Sequence, residues 1–213
     1  MPARLRPTAP IAAEAILVGD PGRALMLAQE LLEQPKMSNH ARGLWGYTGE
    51  TEAGSQLTIQ ATGMGGPSAS VVLADLAELG VRRAVRIGTC ASLGDLKPGD
   101  LLLVSEARNP AGATATPDKE LTAALGDSLP RAHLGAAVSL DDLHRPGRDR
   151  PPVPAEGADM QTAALLATGE ELGVAVAAVL IASERSDSGQ LRDEDLEAAA
   201  KEVGEVAAAV LSA

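Results

Sequence analysis

Three arginines, a glycine-rich turn and a few hydroxyls and carboxylates carry the chemistry available to this chain. Arg86 sits inside the apolar segment Ala84 to Ile87, where an isolated charge is costly to bury. A buried arginine needs an anion. Arg86, Arg23, Arg42 and the Thr89 hydroxyl together would make a cradle for a phosphate. For Arg86 the alternative is a structural ion pair with a carboxylate such as Asp75 or Glu106. For Arg23 and Arg42 it is a solvated surface position. The run Ala61-Thr62-Gly63-Met64-Gly65-Gly66-Pro67-Ser68-Ala69-Ser70 joins an alternating segment to one of helical spacing. Its glycines let backbone pass close to a ligand and take positive φ. The helix after it offers N–H groups to an anion or a polar ligand. Glu184, in Ser183-Glu184-Arg185, closes a long apolar run. A carboxylate in such a place can serve as a general acid, with Asp187 the second candidate. A salt bridge from Glu184 to Arg185 is the structural alternative. His144, taken alone, reads as a surface residue.

These residues need a scaffold. Ala15 to Val18 reads as a strand ending in Gly19-Asp20-Pro21-Gly22. Pro21 to Leu32 reads as a helix with Asp20 as N-cap and Pro21 at its first position. Leu44 to Thr48 and Leu57 to Ala61 read as a strand pair. Ser68 to Leu79 is a helix closed by Gly80. Ala84 to Ile87, Leu101 to Ser105 and Ala132 to Val138 are strands, and Leu121 to Leu125 is helical. Asp159 to Glu171 reads as a helix, Val174 to Ala182 as a strand buried on both faces, and Asp193 to Leu211 as a terminal helix. Arg145 to Pro154, with four prolines and three arginines, cannot be regular structure. The alternation predicts a single α/β domain over residues 1–213, with a mostly parallel mixed central sheet flanked by helices on both faces. Gly19-Asp20, Thr62-Gly63-Met64, Gly88-Thr89 and Ser183-Glu184-Arg185 then all fall at the carboxyl ends of strands, where such sheets bind ligands.

Composition narrows the function classes. Of 213 residues, 45% are hydrophobic, yet Trp45 and Tyr47 are the only aromatics, so the core is built from Ala, Val, Leu and Ile. The net charge of −11 argues against a nucleic-acid surface, which needs a basic stripe. It leaves room for a small anion, since a few local arginines outweigh distant charge. The single Cys90 excludes an internal disulfide and a cysteine-based metal site and fits a reducing cytoplasm. There is no run of 18 apolar residues to span a membrane. The expectation is a cytoplasmic protein.

Gly19-Asp20-Pro21-Gly22-Arg23, the glycine-rich turn and Arg86-Ile87-Gly88-Thr89-Cys90, in that order, resemble the nucleoside phosphorylase family, in the branch of uridine phosphorylases and hexameric purine nucleoside phosphorylases. The resemblance implies that Gly19, Arg23, Arg86 and Thr89 bind phosphate, and that Arg42, within Asn39 to Tyr47, reaches a neighbouring subunit's site. Met64 would line the pocket. Gly157-Ala158-Asp159-Met160-Gln161 is similar to the family's ribose segment. Met160 matches, and Gln161 stands where the family has a glutamate that accepts from the sugar hydroxyls. Val138 to Arg150 resembles the uridine phosphorylase base segment, with Arg150 on the uracil-binding arginine and Arg148 in place of a glutamine. Leu143 and His144 replace its aromatic pair. Near Glu184, purine-specific relatives have an aspartate that helps protonate purine N7.

The resemblance therefore implies phosphorolysis of a uridine-like nucleoside to ribose 1-phosphate and free base. Inorganic phosphate is the co-substrate, and no metal or organic cofactor takes part. Arg23, Arg86, Thr89 and a partner's Arg42 would hold phosphate, and Met64, Met160 and Gln161 the ribose. Arg148, Arg150 or Glu184 would meet the base. The implied assembly is a homodimer or hexamer with no nucleic-acid or membrane partner. The alternatives are a purine nucleoside phosphorylase and a non-catalytic nucleoside- or phosphate-binding homologue. Removing Arg86 is expected to abolish phosphate binding with little unfolding.

Overall fold

The computed structural model describes residues 4–145, 154–185 and 189–213. In chain order the elements are β1 (Glu14–Val18), α1 (Pro21–Leu31), β2 (Glu33–Asn39), β3 (Gly46–Glu50), β4 (Gln56–Ala61), α2 (Gly66–Glu78), β5 (Arg83–Ser92) and β6 (Leu101–Arg108). They continue with β7 (Thr114–Ala115), α3 (Lys119–Ser128), β8 (His133–Ser139), β9 (Gly157–Asp159), α4 (Thr162–Leu172), β10 (Ala175–Arg185), β11 (Gly189–Gln190) and α5 (Asp193–Ser212).

All strands join one sheet. At its centre β4, β1, β5 and β10 run parallel, with Val18 beside Ala61 and Ile87, and Ile87 beside Val179. Their carboxyl ends therefore share one edge. Antiparallel β3 and β2 extend the sheet beyond β4. On the other side β5, β9, β8, β6 and β10 pair in succession, and β10 returns to β5. The pairings thus close a five-strand ring at this end of the sheet. Register breaks at Ala182/Glu184 in β10 and Val104/Glu106 in β6 allow it, because a bulge bends and twists a strand.

Side chains alternate across the sheet as a period of two requires. Ile16, Val18, Val85, Ile87, Val179 and Ile181 pack under α1, α3 and α5. Ala15, Leu17, Ala84, Ala178 and Leu180 pack under α2 and α4. Small aliphatic side chains on both faces are what two-sided burial of the central strands needs.

Several local expectations change. Thr89 does not end its strand, because β5 runs on to Ser92 to pair with β9. Asp159 lies at the end of β9, and α4 begins at Thr162. Tyr47 is buried, whereas Trp45 is exposed.

Candidate active site

A cleft of about 350 Å³ opens at the carboxyl ends of the central parallel strands. The β1–α1 turn supplies one wall through Gly19, Asp20 and Arg23, and the glycine turn a second through Gly63, Met64 and Gly65. Arg86 and Thr89 of β5 form the floor with Met160 and Gln161 of the β9–α4 connection. Local sequence fixes the walls. Asp20 accepts from Arg23 N at 2.8 Å and Pro21 starts α1, so the chain turns sharply after Gly19. Gly63 and Gly65 have φ of +75° and +82°, a region that costs other residues energy. A Cβ on Gly63 would stand 2.8 Å from Ser68 Oγ. Ser68 Oγ donates back to Thr62 O at 2.6 Å, tying the turn to the helix.

Arg86 is buried, and its guanidinium is held on three sides. Nη2 donates to Asp159 Oδ2 at 2.9 Å, Nη1 to Gln161 Oε1 at 2.7 Å, and Nε to Thr162 Oγ1 at 3.0 Å. The arginine therefore both lines the cleft and forms a buried ion pair. The partner is neither Asp75, which accepts from Leu5 N at 2.7 Å, nor Glu106, which pairs with Arg108. Asp159 also accepts from the Thr162 hydroxyl at 2.6 Å and from Thr162 N at 3.0 Å, as well as from the Ser139 hydroxyl.

Arg23 faces the cleft partly buried. Desolvation holds its guanidinium below the ordinary arginine range, with Asp20 opposing and Arg86 adding to the shift. Cys90, behind Thr89, is buried. Loss of solvent and the nearby Asp159 charge push its thiol up to about 12, against the pull of Arg86. It is no nucleophile.

The N-terminus of α2 departs from expectation. Gly66 N donates to Asp141 Oδ1 at 2.8 Å, so a carboxylate already takes the N–H expected to meet an anion. The positively charged part of the cleft is the Arg23–Arg86–Thr89 side.

Gly19, Arg23, Arg86, Thr89, Met64, Met160 and Gln161 thus meet in one cleft. Met64 is 78% exposed at the rim. Gln161 is only 2% exposed and is bonded within the wall, an arrangement that leaves its expected role as a sugar acceptor without free capacity. Arg42 does not line the cleft. It is exposed in a tight turn, Ala41–Gly43, with φ of +60°. Glu184 stands just outside, and its carboxylate lies 3.9 Å from His144 Nδ1 and 3.3 Å from Gln190 Nε2. Arg148, Arg150 and Asp187 fall outside the described residues.

Sequence reasoning missed Asp159 as the partner of Arg86, and Ser183 and His144 as cleft-lining residues. A two-residue spacing puts Asp159 and Gln161 on one side of an extended segment, and that was the available signal. Among the described residues, no group of three or more His, Cys, Asp or Glu side chains is placed to hold a metal ion. No helix among them is long and apolar enough to cross a membrane.

Residues 14–213 match the model of the phosphorylase superfamily. The chain belongs to that superfamily. Among curated proteins it is similar to a DeoD-type purine nucleoside phosphorylase of Oceanobacillus iheyensis, 32% identical over 142 residues, which are 66% of this chain and 57% of that one. A DeoD-type purine nucleoside phosphorylase of Clostridium novyi is 41% identical over 104 residues, 48% of this chain and 44% of that one. The matched stretches thus span about half the length of these curated relatives. The purine nucleoside phosphorylase of Toxoplasma gondii, solved with immucillin-H, shares the fold. Its TM-score is 0.82 at 19% identity, covering 95% of this chain and 91% of that one.

Proposed function

We propose that this superfamily member is a purine nucleoside phosphorylase. The observation that carries the reading is the convergence of Gly19, Arg23, Arg86 and Thr89 on one cleft with Met64 and Met160. The curated relatives are named for purine chemistry, which favours the purine alternative over the uridine-like reading of residues 138–150.

In this mechanism inorganic phosphate lies against Arg23, Arg86 and the Thr89 hydroxyl, below the sugar. A phosphate oxygen bonds to C1′ as the bond from C1′ to the base nitrogen breaks, and the purine leaves with a proton taken at N7. The products are ribose 1-phosphate and free base. The anion is placed beside positive charge developing at C1′, so positioning and electrostatics supply the rate. Met160 and Met64 pack against the sugar. Glu184 supplies the proton or stabilises the leaving base, with Asp187, Arg148 and Arg150 the further candidates at that end. Arg42 serves a neighbouring copy's cleft, which makes a homodimer the smallest complete unit.

The test is base release from inosine, guanosine, adenosine, uridine and thymidine, with and without inorganic phosphate. Phosphate-dependent release from a purine nucleoside is the expected result. Release from uridine alone restores the uridine-like reading. Binding without release from any of the five supports a non-catalytic homologue.

A further inference from the structure

Gln161 is 2% exposed, and its side chain joins the floor of the cleft to the glycine-turn wall. Its Nε2 donates to Gly63 O at 2.7 Å and to Gly65 O at 3.3 Å. Its Oε1 accepts from Arg86 Nη1 at 2.7 Å and lies 2.9 Å from Thr62 Oγ1, whose one proton it shares with Val18 O at 3.0 Å. A carboxamide has two N–H groups and two acceptor lone pairs. Both N–H groups and one lone pair have a protein partner here, and the second lone pair shares the Thr62 proton with Val18 O.

We propose that Gln161 is a positioning residue that ties the Gly63–Gly65 turn to the Arg86 guanidinium, and that the site consequently does not read the sugar 2′-hydroxyl through residue 161. The kinetic part of this proposal rests on the phosphorolysis reading, whereas the tie itself does not.

The chemistry requires an amide and rejects a carboxylate of the same length. Glutamate in this pose would set an acceptor oxygen 2.7 Å and 3.3 Å from two carbonyl oxygens, with no proton between them. It would also bring a second buried carboxylate to an arginine already paired with Asp159 at 2.9 Å. Uncompensated buried charge is strongly unfavourable, and a dianionic phosphate would meet one more negative charge beside its arginine. A sugar-reading residue predicts the reverse, because glutamate would then accept a stronger, charge-assisted bond from the hydroxyl.

The experiment compares the full chain with Gln161→Glu and Gln161→Met. Hydrogen exchange on the free proteins reads the tie in the peptide covering residues 61–67. Calorimetry reads binding of inorganic phosphate. Steady-state kinetics compare inosine with 2′-deoxyinosine. Faster exchange across 61–67 is expected in both variants, with the peptides of β10 and α5 unchanged. The dissociation constant for phosphate rises tenfold or more in Gln161→Glu and less in Gln161→Met. The kcat/KM ratio of the two nucleosides stays within about threefold of unity in the wild type, the range of a neutral hydrogen bond neither gained nor lost, and neither variant shifts it. Unchanged exchange in both variants overturns the tie. A Gln161→Glu protein that binds phosphate normally and favours inosine over 2′-deoxyinosine by tenfold or more overturns the proposal in favour of a sugar ligand. If Gln161→Glu does not fold, Gln161→Met alone decides the tie by exchange. A wild type without phosphate-dependent release from any nucleoside refutes the phosphorylase reading, and the exchange result still decides the tie.

Discussion

Arg86→Ala tests whether the buried pair or the cleft governs this residue. Before its partner is known, the substitution is expected to cost little stability. The geometry reverses that expectation, because Asp159 is fully buried and pairs with Arg86 at 2.9 Å. Removing one partner of a buried pair costs about 3–5 kcal/mol. Asp159 keeps the Ser139 and Thr162 hydroxyls and the Thr162 and Gln161 N–H groups, so the cost falls at the low end, about 3 kcal/mol. For a chain of this size that lowers the thermal midpoint by about 6–12 °C. Scanning calorimetry at neutral pH measures it. The double variant Arg86→Ala/Asp159→Asn, with the stranded charge gone, regains a substantial part of the loss. Phosphate is expected to raise the wild-type midpoint by mass action and to raise neither variant's. A fall of under about 2 °C, or a double variant no more stable than Arg86→Ala, refutes the reasoning that Asp159 depends on this arginine.

Gly63→Ala forces a Cβ to φ of +75° and to 2.8 Å from Ser68 Oγ. It should cost about 1–2 kcal/mol from the backbone alone, measured by urea denaturation, and lower phosphate-dependent turnover at least tenfold. Asp118 caps α3 by accepting from Leu121 N at 2.9 Å. Asp118→Ala should lose about 1 kcal/mol by the same measurement while leaving kcat/KM unchanged, since α3 packs away from the cleft. The Cys90 thiol, pushed up to about 12, should resist alkylation at pH 8 in the folded protein and react once the chain is unfolded in urea. Because its folded pKa is raised, its contribution to stability is complete below the unfolded value near 9.0 and is lost as pH rises toward about 12. Cys90→Ala should flatten that alkaline fall in the thermal midpoint.

The readable parts of the fold are those where local rules and burial agree. Asp20 and Pro21 announce α1, β1 and β10 carry apolar runs matched to two-sided burial, and β4 alternates polar with apolar residues. Their carboxyl ends follow from alternation, so the cleft's position was legible, as was the convergence of Gly19, Arg23, Arg86 and Thr89. What was not legible depends on partners distant in the chain. β2, with sequence Glu-Gln-Pro-Lys-Met-Ser-Asn, is a polar edge strand, held by pairing to β3 rather than by its own pattern. β9 has three residues, and the closed ring through it rests on bulges that leave no mark in hydrophobic period. Asp159 reads as a helix residue from its neighbours. Only the pairing of β9 with β5 and β8 brings it to an arginine 73 positions away.

The same long-range contacts explain how a chain of net charge −11 can present a cationic floor. Arg86 must turn its guanidinium along β5, and Gly88 gives it room. A Cβ there would stand 2.7 Å from Nη2, so any other residue at 88 displaces the group. Asp159, Gln161 and Thr162 then fix its orientation with one bond to each nitrogen. A guanidinium has five N–H groups, so one on each terminal nitrogen lies outside this network among the described residues. Those two are the donors this network leaves for an anion. Orientation is therefore settled when the chain folds, and under the phosphorolysis proposed above that would leave less reorganisation for the transition state. Asp159 lowers the gross charge of the floor and in return holds its donors still, which leaves Arg23, partly buried and near Arg86, as the cleft's less compensated cation.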